Sequence, residues 1–243
     1  MKFRFDGGET YLISQKQIPE SRNSRFLVKY ASLYIYAVKG SLSEQNCYDG
    51  SVIRYMDCFL LILPDNYMQQ AVLWRDFYRC FGAYYEDLID DRWNIECIRM
   101  LISHIDARKG FDQSKIVLDF GCGSGLSTKV TVRGKIVGYE PVEEMRKQAQ
   151  QRGMELLTRE DIQNMPGHTF DAVFSSYVFH MAVLEEDIEL VLGHMKEGAV
   201  WVANFYKNIN LEYMNEVFQR HGCKVKRLKI QEERYGAVYE YQK

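Results

Sequence analysis

No stretch of this sequence is long and apolar enough to cross a membrane. The longest apolar run, Cys58-Phe-Leu-Leu-Ile-Leu63, falls far short of the roughly 20 residues that a spanning helix needs. Met1-Lys-Phe-Arg-Phe5 has no apolar export core behind it, so the sequence predicts a cytoplasmic protein without a membrane partner. Cys47, Cys58, Cys80, Cys97, Cys122 and Cys223 include no C-x-x-C pair and no metal-ligand spacing, which argues against zinc and against a disulfide framework. No metal is expected, and the thiols read as reduced. Basic tracts are missing as well. The net charge is -2 with the two signs interspersed, and this argues against nucleic acid as a partner. There is no internal repeat and no low-complexity linker. At 243 residues and 47% hydrophobic content, the chain can bury one large core with a small appended piece.

What is present centres on Ile116-Val-Leu-Asp-Phe-Gly-Cys-Gly-Ser-Gly125, followed by Ile136-Val-Gly-Tyr-Glu140. An apolar run ending in an acid and then alternating glycines reads as a buried strand entering a tight turn. Gly121, Gly123 and Gly125 can take positive φ and have no Cβ to hold a ligand off the backbone. The following segment is expected to open a helix whose free N–H groups face whatever sits above the loop. A second strand ends in Glu140, where an acid can grip the two hydroxyls of a ribose. The local chemistry therefore indicates a nucleoside cofactor on a parallel α/β sheet. Position 126 is Leu, so the glycines run G-x-G-x-G and not in the dinucleotide spacing, and no Lys follows in the manner of a phosphate-cradling loop.

Asp119-Phe-Gly-Cys-Gly-Ser-Gly125 resembles motif I of the class I S-adenosylmethionine-dependent methyltransferases. The resemblance covers about residues 83–243. It implies an α/β fold with a doubly wound, mostly parallel seven-stranded sheet, S-adenosylmethionine as cofactor and S-adenosylhomocysteine as product. It brings Asp119, Phe120, Gly121, Cys122, Gly123 and Gly125 to the cofactor as the loop, and Glu140, with Pro141 beside it, as the ribose acid. Asp161, in Thr158-Arg-Glu-Asp-Ile162, matches the acid that accepts from the adenine amino group, with Ile162 against the adenine face or donating its N–H. Phe170-Asp-Ala-Val-Phe-Ser-Ser-Tyr-Val-Phe-His180 looks like the family's FDxVxSSxVLHH segment, which adds Ser175. Met195-Lys-Glu-Gly-Ala199 stands where the family often has LKPGG. Tyr84 or Tyr85 matches a tyrosine that folds over the methionine end of the cofactor. Thr128, Val130, Thr131 and Val132 are poor helix formers, so the first core helix is expected to be short or irregular.

His180 lies after the fourth core strand, at the edge where open α/β sheets bind ligands. Its ordinary pKa near neutrality suits a base for the methyl acceptor, and Tyr177 is a second candidate. Asp171, inside the strand opening, reads as structural.

Upstream, residues 1–65 are rich in Tyr and Phe. Short β-like runs at Arg25–Lys29 and Leu33–Val38 are separated by turn signals at Gly7-Gly8, Lys39-Gly40 and Asp49-Gly50. They predict an α+β extension serving either as packing or as a substrate wall or lid. Residues 66–243 comprise a helical lead-in, with a stop and cap at Pro64-Asp65, and the cofactor-binding core. Pro141 is expected to open the helix after the second strand. Three functions follow: a methyltransferase acting on an O or N atom of a small metabolite or natural product, one with a protein or RNA acceptor, and a non-catalytic cofactor-binding subunit that stabilises a partner.

Overall fold

The computed structural model describes residues 10–18, 20, 24–38, 51–55, 59–85, 91–230 and 235–243. The chain divides into two compact units, 1–80 and 81–243. The lead-in helix α1 (Tyr67–Phe81) thus clusters largely with the N-terminal unit, whereas the sequence suggests a boundary near residue 65.

The N-terminal unit is a mixed sheet of β1 (Thr10–Ser14), β2 (Ser24–Tyr30), β3 (Leu33–Val38), β4 (Ser51–Tyr55) and β5 (Phe59–Leu63), ordered β2-β3-β1-β5-β4. β1 and β5 pair in parallel, and the other pairs are antiparallel. The three glycine turn signals lie outside the described residues. Several of the unit's aromatics are core: Tyr11 and Tyr36 are buried with Leu12, Ile13 and Ile35. The Tyr36 hydroxyl donates to the Ile18 carbonyl (3.1 Å) and accepts from its N–H (2.9 Å), so the phenol is buried without an unmet polar group. α1 is capped by Asn66, whose Oδ1 accepts the Gln69 N–H (3.1 Å), one residue later than the sequence suggests.

The second unit contains α2 (Asp91–Asp106), β6 (Ile116–Phe120), β7 (Lys135–Tyr139), α3 (Glu143–Gln151), β8 (Leu156–Leu157), α4 (Arg159–Asn164), β9 (Phe170–Ser175), α5 (Glu185–His194), β10 (Met195–Phe205), α6 (Leu211–Arg220), β11 (Lys224–Leu228) and β12 (Ala237–Gln242). Its seven strands are ordered β11-β12-β10-β9-β6-β7-β8. β12 runs antiparallel to its neighbours and the other pairs are parallel. This is the doubly wound sheet that the sequence implies. The strand order reverses between β6 and β9, and ligands of open α/β sheets bind at the carboxyl ends of the strands at such a reversal.

Strand alternation sorts the core into two faces. Val117, Ala172, Phe174, Val200 and Val202 meet α2, which presents Cys97, Ile98, Leu101, Ile102 and Ile105 at helical spacing. On the opposite face Phe120 packs on Tyr139, Phe179 and Trp201. Trp201 meets Phe218, which in turn stacks on Tyr241 at 3.8 Å. Asp171 sits at the other end of the strands, accepting from the Ile116 N–H and pairing with Lys115 and Lys196, a structural role as expected.

Three local expectations change. No α-helix follows Gly125; a 3-10 turn at Leu126–Lys129 leads directly into extended Val130, because the β-branched run Thr128 to Val132 disfavours helix. Pro141 does not open α3, which starts at Glu143 with Val142 as its cap. The Val142 N–H is taken by the Glu140 carboxylate (2.9 Å), and that bond keeps Pro141 outside the helix. β10 begins at Met195 and not at Ala199; its pairing shifts register before Val200, and Gly198 takes φ 74° there.

Candidate active site

Gly121, Gly123 and Gly125 all take positive φ (72°, 55° and 81°), but for different reasons. A Cβ on Gly121 would meet Val178 Cγ2 at 2.7 Å, and one on Gly125 would meet the Ala149 backbone at 2.9 Å. At Gly123 the nearest atom would be Met145 Cε at 3.5 Å, an ordinary contact, so only the positive φ calls for glycine there. The loop is fastened to β7, since the N–H groups of Gly121 and Cys122 both donate to the Tyr139 carbonyl (2.8 and 3.2 Å).

Glu140 follows directly at the tip of β7 and is only 7% exposed. Its Oε2 accepts the Gly123 N–H (3.0 Å) and its Oε1 the Val142 N–H (2.9 Å). Both oxygens are thus held by backbone N–H groups, which orients the carboxylate at the tip of β7. Asp119 lies beside it, buried. Burial first, and the Glu140 charge as a smaller cause, push its carboxyl up to about 7, while the Ser127 hydroxyl acts in the opposite direction.

Asp161 caps α4. Its Oδ2 accepts from both the N–H and the hydroxyl of Thr158 (2.8 and 2.7 Å), and the Thr158 Oγ1 accepts the Asp161 N–H (3.0 Å). These bonds hold its carboxyl below the usual carboxylate range. The side chain is exposed, and Oδ1 has no partner among the described residues. An ionised acid with one open oxygen can accept from an amino group. Glu140 and Asp161 are the two acids that the sequence assigns to the ribose and the adenine, and both are held in place by backbone and cap hydrogen bonds.

Several residues expected at the cofactor have side chains packed in the core. Ile162 is wholly buried and its N–H donates to the Thr158 carbonyl (3.1 Å), so neither group is offered to a ligand. Ser175 points to the aromatic face, where its Oγ accepts the Trp201 indole N–H (2.9 Å). Phe120 belongs to that aromatic stack. Cys122 packs with Ala149 and Met154, and burial, followed by the neighbouring Asp119 and Glu140 charges, drives its thiol well up. These side chains shape the loop from below. Pro141 is part-exposed beside Glu140. Tyr85 is part-exposed after the 3-10 turn Gly82–Tyr84, while the side chain of Tyr84 lies outside the described residues.

Past β9 the chain turns through Tyr177, held at φ 55°. Its N–H donates to Asn204 Oδ1 (2.7 Å), and Asn204 Nδ2 donates to the Tyr235 carbonyl (2.8 Å). The rings of Tyr177, His180 and Tyr206 meet edge-on at about 6 Å from one another. His180 Nδ1 is shielded and has no hydrogen-bond partner among the described residues, and burial lowers the imidazole to about 4. Burial likewise raises the Tyr177 phenol above the ordinary tyrosine range. The histidine is therefore neutral and a weak base, and the tyrosine is a donor. Sequence reading finds His180 and Tyr177 but misses Asn204 and Tyr206. The asparagine ends an apolar strand, and its role depends on a partner 27 residues away. Lys207, Asn208 and Asn210 after Tyr206 also take positive φ, and strained backbone of this kind gathers at functional sites.

Residues 118–197 match a family model described as a methyltransferase domain. Among solved structures, a putative S-adenosyl-L-methionine-dependent methyltransferase from Methanococcus maripaludis is similar over 67% of this chain and 92% of its own, with a TM-score of 0.52 and 14% identity. Magnesium protoporphyrin IX methyltransferase from Synechocystis PCC 6803, solved with bound S-adenosylmethionine, is similar over 72% of this chain and 97% of its own, with a TM-score of 0.50 and 14% identity. No curated protein matches the sequence. Because the domain match begins inside β6 and takes in the glycine turn at the point where the strand order reverses, the chain carries a class I S-adenosylmethionine-dependent methyltransferase domain, an enzyme whose cofactor is S-adenosylmethionine.

Proposed function

We propose that the enzyme methylates an O or N atom of a small metabolite or natural product, with Glu140 holding the ribose hydroxyls, Asp161 the adenine amino group and His180 orienting the acceptor. The observation that carries the acceptor reading is the ring cluster of Tyr177, His180 and Tyr206 at the carboxyl edge of β9 and β10, with an imidazole nitrogen that no group among the described residues satisfies. Aromatic rings carrying a few polar groups suit a small planar acceptor. The interspersed surface charge and net charge of -2 weigh against RNA. One of the similar folds is that of an enzyme named for a small molecule, magnesium protoporphyrin IX.

When bound, S-adenosylmethionine supplies a methyl group on a positively charged sulfur. The protein's task is then largely alignment. Glu140, fixed by two backbone N–H groups, and Asp161, fixed by its cap, hold the adenosine at two points. Neutral His180 accepts a hydrogen bond from the acceptor's O–H or N–H and aims its lone pair. With its pKa lowered to about 4, it does not take that proton, which leaves to solvent as the bond to the methyl group forms. This changes the role expected of an unperturbed histidine from base to orienting group.

Calorimetric titration with S-adenosylmethionine and S-adenosylhomocysteine, followed by labelled-methyl transfer to panels of small phenols, amines and carboxylic acids, to protein and to RNA, tests the proposal. Binding of both ligands and label on a small molecule support it. Label only on protein or RNA refutes the acceptor class. Absence of binding by folded protein refutes the assigned cofactor contacts.

A further inference from the structure

Asp187 is a charged side chain in the first turn of α5 that is only 3% exposed. Its Oδ1 accepts the phenol hydroxyl of Tyr139 (2.7 Å) and the Arg159 Nη1 donor (2.7 Å). Tyr139 is the last residue of β7 and immediately precedes Glu140. Arg159 is the first residue of α4, two positions before Asp161. Strand alternation explains why the two tips are reached from one side: with Tyr139 turned toward Asp187 and the Phe120 ring, Glu140 turns the other way, toward the Gly123 N–H. The chain segments bearing Glu140 and Asp161 are separated by α3 and β8, and a single buried carboxylate ties both.

We propose that Asp187 is a positioning residue that sets the spacing between the ribose acid and the adenine acid; the inference rests on the reading of Glu140 and Asp161 as adenosine contacts. A buried charge held by directional donors specifies geometry better than apolar packing would, because displacing a donor costs a charge-assisted hydrogen bond in a low-dielectric setting. Asp187 acts on the ligand through Tyr139 and Arg159 and not by touching it.

The test is calorimetric binding of two ligands, S-adenosylhomocysteine and 5′-methylthioadenosine, to the full-length protein, with thermal melts run alongside. Asp187→Asn keeps the shape and one acceptor but loses the charge. It is expected to weaken both ligands by the same factor, about tenfold, because both carry the adenosine and only one carries the amino-acid end. Arg159→Ala is expected to follow it, while Arg159→Lys, which retains the charge, recovers much of the affinity. Should Asp187→Asn fail to fold, the Arg159 pair carries the same comparison from a part-exposed position. A purely structural tie would lower the melting temperature and leave the affinity of the folded protein unchanged, and that result overturns the proposal. So does a loss confined to S-adenosylhomocysteine. If Glu140→Ala weakens binding while Asp187→Asn and Arg159→Ala do not, the positioning role falls and the adenosine reading stands; if Glu140→Ala also binds as wild type, both fall.

Discussion

Asp119 holds its proton in the folded protein near pH 7 and releases it in the unfolded chain near its ordinary 3.8. Between those values the folded state binds the extra proton, so this group's stabilisation is fully present below about pH 4 and is lost as pH rises through about 7. Each unit of separation corresponds to roughly 1.4 kcal/mol. From about pH 5 to about pH 8 the wild-type protein therefore loses about 3 kcal/mol through Asp119 alone. Asp119→Asn keeps the side-chain shape and removes the titration. Urea unfolding of both proteins across that range, without cofactor, reads the effect as a difference of differences, which cancels the other titrating groups. The asparagine variant is expected to gain on the wild type by about 3 kcal/mol between the acidic and alkaline ends. Parallel stability profiles would refute the protonated, buried carboxyl beside Glu140.

Four further outcomes follow from the same geometry. Glu140→Ala is expected to weaken S-adenosylhomocysteine by about 1.5–3 kcal/mol, the worth of hydrogen bonds to a charged group; unchanged calorimetric affinity in folded protein would remove the ribose assignment. His180 is neutral when folded and protonates near 6.5 when unfolded, so it costs stability as pH falls from about 6.5 toward 4, by about 2 kcal/mol after allowing for its partly open position. His180→Phe should flatten that acid limb in urea titrations. Trp201→Ala, at the centre of the aromatic face, should cost about 3–5 kcal/mol, whereas a loss under 1 kcal/mol by the same assay would mean that the stack is not the core. Gly121→Ala meets both a positive φ and the Val178 side chain 2.7 Å away. Adding Val178→Ala should restore only part of its lost melting temperature, and full recovery would show that the φ is unstrained.

The sequence alone carried the class of fold and the edge of the sheet where the chemistry lies. Apolar runs ending in Asp119 and Glu140, glycines at alternate positions and strand–helix alternation are local signals, set by backbone sterics and side-chain periodicity within a few residues. They fixed the order of elements from α2 to β12 closely, with ends displaced where a single bond decided the matter, as at Pro141. The helix expected after Gly125 is absent because four residues between Thr128 and Val132 resist it, and that resistance was itself legible.

Only the tertiary structure decided which side chains of the motif are buried. Ile162, Ser175, Phe120 and Cys122 occupy motif positions yet lie in the core, because strand and helix phase turn their side chains away from the crevice. It also decided the charge states: the same carboxyl type is raised at Asp119 by burial and lowered at Asp161 by its cap. Asn204, Tyr206 and Asp187 act through partners far away in the chain, and no short spacing in a sequence records such a contact. Local sequence dictates conformation over a few residues; proton affinity and ligand access depend on burial and neighbours, and these exist only once the sheet has assembled.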